Sequence, residues 1–362
     1  MKHPFLLLST LLLLAALGAL AQTGPVLSPE VHPDRSITFR LQAPLAQKAE
    51  FYGDWMPVGK PVPMQKGADG IWIHKTAPMP PSIYIYSFTI DGLTIADPVN
   101  PRMKLRARTS ASMVEVLGTP PTLWDARDVP HGDVQINYQK SKVLNGETRA
   151  FWVYTPPGYE KSKQSYPVLY LFHGSNDTAG GWVLAGQANY ILDNLLAEGK
   201  LTPMVVVMPF GHAVPFGSPR EVQATNTDVF ERYLLQDVMP LVETKYRVKK
   251  DRASRAIAGL SMGGGQSLAI GLKNVGMFSA IGAFSAAVPD QMETRLDGLA
   301  KQKSTLLWFA CGVDDFLIQR SKDLDALLSQ RKVPHTYRQT EGAHTYTVWR
   351  QYLGEFAPLL FK

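Results

Sequence analysis

Arg255-Ala256-Ile257-Ala258-Gly259-Leu260-Ser261-Met262-Gly263-Gly264-Gly265 is the stretch that decides the fold of this chain. A small apolar run leads into Gly259-Leu260-Ser261-Met262-Gly263. A helical apolar pattern then follows at Leu268, Ile270 and Leu272. The pattern predicts a strand, a sharp turn and a helix, with a serine at the apex. Glycines two before and two after the serine suit a turn where strand and helix approach too closely for a Cβ. The serine hydroxyl would then stand at the end of a sheet, over a helix N-terminus whose free N–H groups favour negative charge. A glycine-flanked serine can also be an ordinary turn, so its surroundings must choose between the two.

Those surroundings alternate strand and helix. Strands are expected at Thr148 to Thr155, Tyr166 to Phe172, Met204 to Phe210, Ala280 to Phe284, Thr305 to Cys311 and His335 to Gln339. Helical faces are expected at Ile191, Leu192, Leu195 and Leu196, and at Phe230, Leu234, Val238 and Leu241 behind a Thr227 cap. Two more lie at Leu324, Leu327 and Leu328, and at Trp349, Leu353 and Phe356. Continuous apolar strands between helices mean a mostly parallel sheet covered on both faces, a doubly wound α/β domain. The region before it differs. From Val26 to Leu117, short alternating strands punctuated by Pro, Gly and Asp predict a small all-β sandwich, with a hairpin at Asp91-Gly92. The expected division is 1–21, 22–118, a Pro- and Gly-rich connector at 119–137, and 138–362. Val134 to Tyr138 is a candidate edge strand for the second domain.

Bulk properties narrow the partners. The chain has 362 residues, 45% hydrophobic and 19% charged, with a formal charge of +6. No lysine or arginine block accompanies that charge, which points away from nucleic acid. Arg102, Lys104, Arg106 and Arg108 read as a solvated connector. Met1-Lys2-His3, an apolar run from Phe5 to Leu20 and Ala19-Leu20-Ala21 before Gln22 form a secretory signal, so the mature chain is expected to begin near Gln22 outside the cytoplasm. No later stretch is apolar enough to span a bilayer. The single cysteine, Cys311, forbids an intramolecular disulfide and sits in a buried-strand pattern as a small core residue. An exported chain without disulfides suits bacterial export, secreted or periplasmic.

A serine hydroxyl needs a base to take its proton, and the base needs a group to orient it. His344, in Glu341-Gly342-Ala343-His344-Thr345, follows the last strand and is the expected base. His212 is a weaker competitor. His173 is better placed to shape a loop, His335 begins a strand, and His32, His74 and His131 lie in or near the β-region and connector. The acid is expected from Gly312-Val313-Asp314-Asp315-Phe316. Either aspartate could orient His344, and Asp315 is preferred. The chain order Ser261, Asp315, His344 fits the α/β-hydrolase arrangement. Donors for an oxyanion are expected from the backbone N–H groups of Met262 and, in the loop after Phe172-His173-Gly174, Ser175, with Gly174 permitting close approach. Trp182 and Pro215-Phe216-Gly217 are candidates to line an acyl pocket, with ordinary packing as the alternative. No metal-ligand spacing or nucleotide fingerprint is present, so neither metal nor cofactor is expected. Oligomeric state leaves no legible motif.

Two resemblances add to this. Phe39-Arg40-Leu41-Gln42-Ala43-Pro44, Tyr52-Gly53-Asp54-Trp55, Gly70-Ile71-Trp72, Tyr84 to Gly92 and Asp97-Pro98-Val99-Asn100-Pro101 resemble the early-set, immunoglobulin-like domains that precede catalytic domains in glycogen-branching and debranching enzymes and in some esterases. Such domains sometimes bind glycan through exposed tryptophans, and Trp55 and Trp72 are the candidates, with packing the favoured reading. From Ser141 to Phe361 the chain resembles the esterase D/feruloyl esterase family of α/β-hydrolases, through Val153 to Tyr159, Tyr166 to Gly174, Met204 to Pro209, Ala258 to Gly264, Cys311 to Asp315 and Gly342 to Trp349. That resemblance implies an acid at Asp315 and a base at His344. It departs at Ser175-Asn176-Asp177-Thr178-Ala179-Gly180-Gly181, where the family is often richer in glycine, which bears on the acyl pocket. Residues and resemblance together imply a secreted serine carboxylesterase acting on feruloyl or acetyl esters of plant polysaccharide, xylan above all. The other readings are an acyltransferase with the same residues and a glycan-binding protein whose hydrolase domain is inactive.

Overall fold

The computed structural model describes residues 25–290, 292–296 and 305–362. The expected export signal at 1–21 lies outside the described residues.

The N-terminal part is a β-sandwich in which every strand pair is antiparallel. One sheet joins Glu30–Val31, Ile37–Gln42, Ile71–Lys75 and Gln65–Lys66 in that order. The other joins Val62–Pro63, Ala49–Gly53, Ser82–Ile90, Ala111–Val116 and Met103–Lys104, with Leu93–Ile95 hairpinned onto Ser82–Ile90. Asp91 and Gly92 turn that hairpin with φ of 46° and 90°, the left-handed pair that a two-residue turn between right-twisted strands requires. Strand Ser82–Ile90 is buried nearly throughout, and alternation explains why. Tyr84, Tyr86 and Phe88 enter the sandwich core with Phe39 and Phe51. Ile83 and Ile85 face the other way, into a core shared with the second domain, as do Ala111 and Met113 of the neighbouring strand. The tryptophans pack: Trp72 is buried and its indole N–H donates to the Ala43 carbonyl, while Trp55 stacks on Phe39 and meets Phe51 at a tilt and Tyr84 edge-on.

The second domain holds one eight-stranded sheet. Its strands are β1 (Asp133–Lys140), β2 (Thr148–Thr155), β3 (Val168–Phe172), β4 (Val205–Pro209), β5 (Arg255–Leu260), β6 (Ala280–Phe284), β7 (Leu306–Gly312) and β8 (Thr336–Thr340). Their order is β1-β2-β4-β3-β5-β6-β7-β8, antiparallel at β1-β2 and β2-β4 and parallel elsewhere. Val168, Tyr170 and Phe172 of β3 enter one apolar layer, and Leu169 and Leu171 enter the other, as a strand covered on both faces must. The chain is thus an α/β-hydrolase preceded by an all-β region. Helices α1 (Ala188–Ala197), α2 (Asn226–Tyr233), α3 (Met262–Lys273), α4 (Ile318–Gln330) and α5 (Tyr346–Phe356) pack on the sheet. Thr227 lies inside α2 and does not cap it; the helix begins one residue earlier, behind Thr225. Among the described residues no helix is long and apolar enough to cross a membrane.

α5 ties the two parts together. Its wholly buried Arg350 donates to the carbonyls of Ala185 (2.6 Å) and Ile83 (3.1 Å) and to the Ser82 hydroxyl (2.8 Å), so one guanidinium spans both domains. Ser82 and Thr347 share a further hydroxyl contact at 2.9 Å.

Candidate active site

β5 ends at Leu260, and α3 begins at Met262. Between them Ser261 has φ 54° and ψ −117°, a conformation that a residue with a side chain rarely adopts. Holding it there costs on the order of 1–3 kcal/mol, so neighbours must over-determine it. They do: Ser261 N–H donates to the Phe284 carbonyl at 2.8 Å, and its own carbonyl accepts from Gly265 and Ala287. The flanking glycines are required sterically. A Cβ on Gly259 would lie 2.5 Å from the backbone of Gly263, and one on Gly263 would lie 2.6 Å from the His173 carbonyl.

The elbow aims the serine at a histidine. Ser261 Oγ lies 2.9 Å from His344 Nε2, and His344 Nδ1 lies 2.8 Å from Asp315 Oδ2. An ionised carboxylate only accepts, so Nδ1 carries the ring proton and Nε2 is left to accept from the serine hydroxyl. Asp315 follows β7 and His344 follows β8, and glycine lets the two loops meet. A Cβ on Gly312 would lie 2.0 Å from the Gly342 carbonyl, and Gly342 has φ 99°. Asp315 is only 2% exposed, and burial pushes its carboxyl up. Hydrogen bonds from His344 and from the Leu317 N–H (2.8 Å) outweigh that and hold it below its ordinary value. Asp314 points outward, exposed. Phe316 and Trp349 flank the imidazole at 4.4 and 4.8 Å between ring centres and limit its rotation.

Ser261 opens on a cleft of about 240 Å³ also lined by Gly174, Ser175, Asn176, His344, Tyr346 and Trp349. A Cβ on Gly174 would lie 3.4 Å from the Ser261 Cβ, so this loop does approach the serine closely. His173 shapes the loop. Its buried ring donates from Nδ1 to the Gly174 carbonyl (2.8 Å) and accepts at Nε2 from the Gly211 N–H (2.9 Å), and burial depresses its proton affinity. His212 lies away from Ser261, against Phe216 at 4.3 Å. Burial pulls its pKa down to about 4, and nearby His173 adds to that. His212, Phe216, Asn226 and Met262 line an adjoining cleft of about 510 Å³ that meets the first at Ser175 and Asn176.

Residues 141–359 match the model of a protein family described as "Putative esterase". The chain belongs to this esterase family. The esterase is 29% identical over 343 residues to an endo-1,4-beta-xylanase/feruloyl esterase of Xylanibacter ruminicola, an alignment covering 92% of this chain and 46% of that protein. The chain spans about half the length of the curated relatives it matches first. A solved ferulic acid esterase is 30% identical, covering 63% of this chain and 97% of that one, with a TM-score of 0.57. The enterobactin esterase of Shigella flexneri, at 19% identity, shares the fold over 90% of this chain with a TM-score of 0.68.

Two sequence expectations for the esterase need correction. Trp182 cannot line a pocket. It is 0% exposed, its indole N–H donates to the Phe172 carbonyl at 2.9 Å, and its ring packs between Phe284 and Tyr346. The basic cluster is only in part a solvated connector: Arg102 and Arg108 are exposed, while Lys104 is buried and Arg106 half-buried. Arg102 pairs with Glu115, Lys104 is buried against Asp177, Arg106 lines the Ser261 cleft, and Arg108 lies over Phe216. Asp54 and Ile85 join Arg106 in that cleft wall, and burial pushes the Asp54 carboxyl up to about 6. This contribution of the β-sandwich was not among the sequence expectations; its signals were the density of cations after Asn100 and the doubly apolar strand Ser82–Ile90. Cys311 is wholly buried and burial pushes its thiol up to about 11, so it offers no thiolate near neutral pH.

Proposed function

We propose that the chain hydrolyses carboxylic esters through an acyl-enzyme on Ser261. His344 Nε2 takes the Ser261 proton as Oγ attacks the ester carbonyl. Asp315 stays ionised, fixes the tautomer and stabilises the imidazolium that forms. The N–H groups of Met262 and Ser175 donate to the oxyanion. As the tetrahedral adduct collapses, His344 returns the proton to the departing alcohol. Water then loses a proton to His344 and attacks the acyl carbonyl, which frees the acid and restores the Ser261 hydroxyl. The observation that carries this reading is the unbroken Ser261–His344–Asp315 hydrogen-bonded chain opening on a cleft.

The proposed substrate is a feruloyl ester of plant polysaccharide, with acetyl esters second. Support comes from two relatives near 30% identity whose names carry ferulic or feruloyl esterase. It also comes from the aromatic and thioether surface of Phe216, His212 and Met262 in the cleft that adjoins the Ser261 cleft at Ser175 and Asn176. We further propose export through residues 1–21 and a division into a 22–118 β-domain, a 119–137 connector and a 138–362 hydrolase domain. Initial rates on methyl ferulate, acetylated xylan and short p-nitrophenyl esters test the substrate. The reading expects the feruloyl ester to have the highest kcat/KM among the unactivated substrates. Turnover of acetylated xylan with none of methyl ferulate would overturn it.

A further inference from the structure

The loop that carries Ser175 is held from outside its own domain. Asp177, two residues beyond Ser175, is 5% exposed and receives three ties. Its Oδ1 accepts from the Thr178 N–H (2.7 Å) and from the ammonium of Lys104, which is 3% exposed. Its Oδ2 accepts from the Tyr346 hydroxyl at 2.5 Å. Lys104 belongs to the β-sandwich, on the short strand Met103–Lys104 paired with Ala111–Ser112. Its ammonium also sits 5.1 Å from the centre of the Tyr346 ring. Tyr346 is two residues past His344. One carboxylate therefore joins the β-domain, the Gly174–Asp177 loop and the start of α5. Packing leaves it little freedom, since a Cβ on Gly181 would lie 2.3 Å from Asp177 Oδ1. Burial alone would push the Asp177 carboxyl up, and the charge of Lys104 leads the groups that reverse this.

We propose that Lys104 is a positioning residue for ester hydrolysis: through Asp177 it holds the Gly174–Asp177 loop, and with it the Ser175 N–H, in register with Ser261 and His344. This rests on the oxyanion role given to Ser175 above. A donor that must meet an oxyanion in the transition state loses its value when displaced by about 1 Å, which costs roughly a hundredfold in rate. The β-sandwich is then part of the catalytic apparatus, and the ester-binding cleft is incomplete without it.

Lys104→Met tests this in the full chain. The expected result is a fall of about ten- to a hundredfold in kcat on p-nitrophenyl acetate, with KM changed about twofold or less. The inhibition constant of an aryl boronic acid, which forms a tetrahedral adduct with a serine, should weaken by the same factor as kcat falls. A purely structural lysine would lower the melting temperature and leave kcat per folded molecule at the wild-type value, and that result overturns the inference. Should Lys104→Met fail to fold, Lys104→Met combined with Asp177→Asn removes the unpaired buried charge. That double variant should fold and still show the kcat loss, and wild-type kcat in it would overturn the inference. Ser261→Ala separates the two levels. If it is inactive while Lys104→Met is fully active, only the clamp fails; if it is active, the reading on which the clamp rests fails too.

Discussion

Asp315 and Asp177 invite comparison. Each is nearly buried, each is held below the ordinary carboxylate value, and each accepts a hydrogen bond from the same short segment, Asp315 from His344 and Asp177 from Tyr346. They differ in what completes them. Asp177 faces the Lys104 ammonium, and although Lys104, Asp177 and Tyr346 line the cleft, both carboxylate oxygens are already taken by donors. Asp315 faces an imidazole whose other nitrogen accepts from Ser261, and its network ends at a cleft. A carboxylate already paired with a cation is a joint: it fixes geometry and has nothing left to offer a changing charge distribution. A carboxylate paired with a neutral imidazole still has a cation to stabilise, and that cation arises only as the reaction proceeds. The difference lies in the partner's charge, since burial is much the same for both.

The sharpest way to break this comparison is to remove the end of the open network. Ser261→Ala should lower kcat on an activated ester by about 10⁵-fold or more, with a melting temperature close to wild type. Asp315→Asn should follow at about 10⁴-fold, because an amide there favours the wrong imidazole tautomer. Asp314→Asn, one residue away and exposed, should change kcat by about twofold at most. Equal losses at the two positions would remove Asp315 from the role given to it. At the domain junction, outside both networks, the effect should appear in stability. Arg350→Met leaves the Ala185 and Ile83 carbonyls and the Ser82 hydroxyl without their donor, and should cost about 3 kcal/mol in urea unfolding.

The smallest effect concerns acid. The folded-state pKa of Asp315 lies below its ordinary 3.8, so the unfolded chain binds more protons in that window. Its stabilising contribution is therefore complete above about pH 4 and is lost as pH falls through the folded value. The stability difference between wild type and Asp315→Asn should shrink over that interval. A difference that grew toward low pH would reverse the sign assigned here.

What the sequence disclosed follows from the range of the interactions. The elbow was legible because its constraint is local: Gly259 and Gly263 must lack a Cβ, and they sit two residues either side of Ser261. The meeting of Asp315 with His344 could be anticipated because parallel strands deliver their following loops to one edge of the sheet. Asp315 was the preferred acid in the sequence, and the reason it turns inward lies in Gly312 and Gly342, which let the two loops meet. Trp182 misled because an aromatic beside a functional loop looks the same in sequence whether it lines the pocket or fills the core beneath it. The Lys104–Asp177 pair was out of reach. Its partners lie 73 residues apart in two domains, and no periodicity encodes such a distance. Strand Ser82–Ile90 held a clue, since a run buried on both faces in a sandwich needs a second core to bury against.

The central claim, a nucleophilic Ser261 that becomes acylated, is open to one direct measurement. The full chain is mixed with a slowly deacylating activated ester, quenched in acid, and analysed by intact-protein and peptide mass spectrometry. The account predicts one added acyl mass, located on the peptide containing Ser261 and absent from Ser261→Ala. Turnover of the ester with no adduct, or with the added mass on another residue, would contradict it.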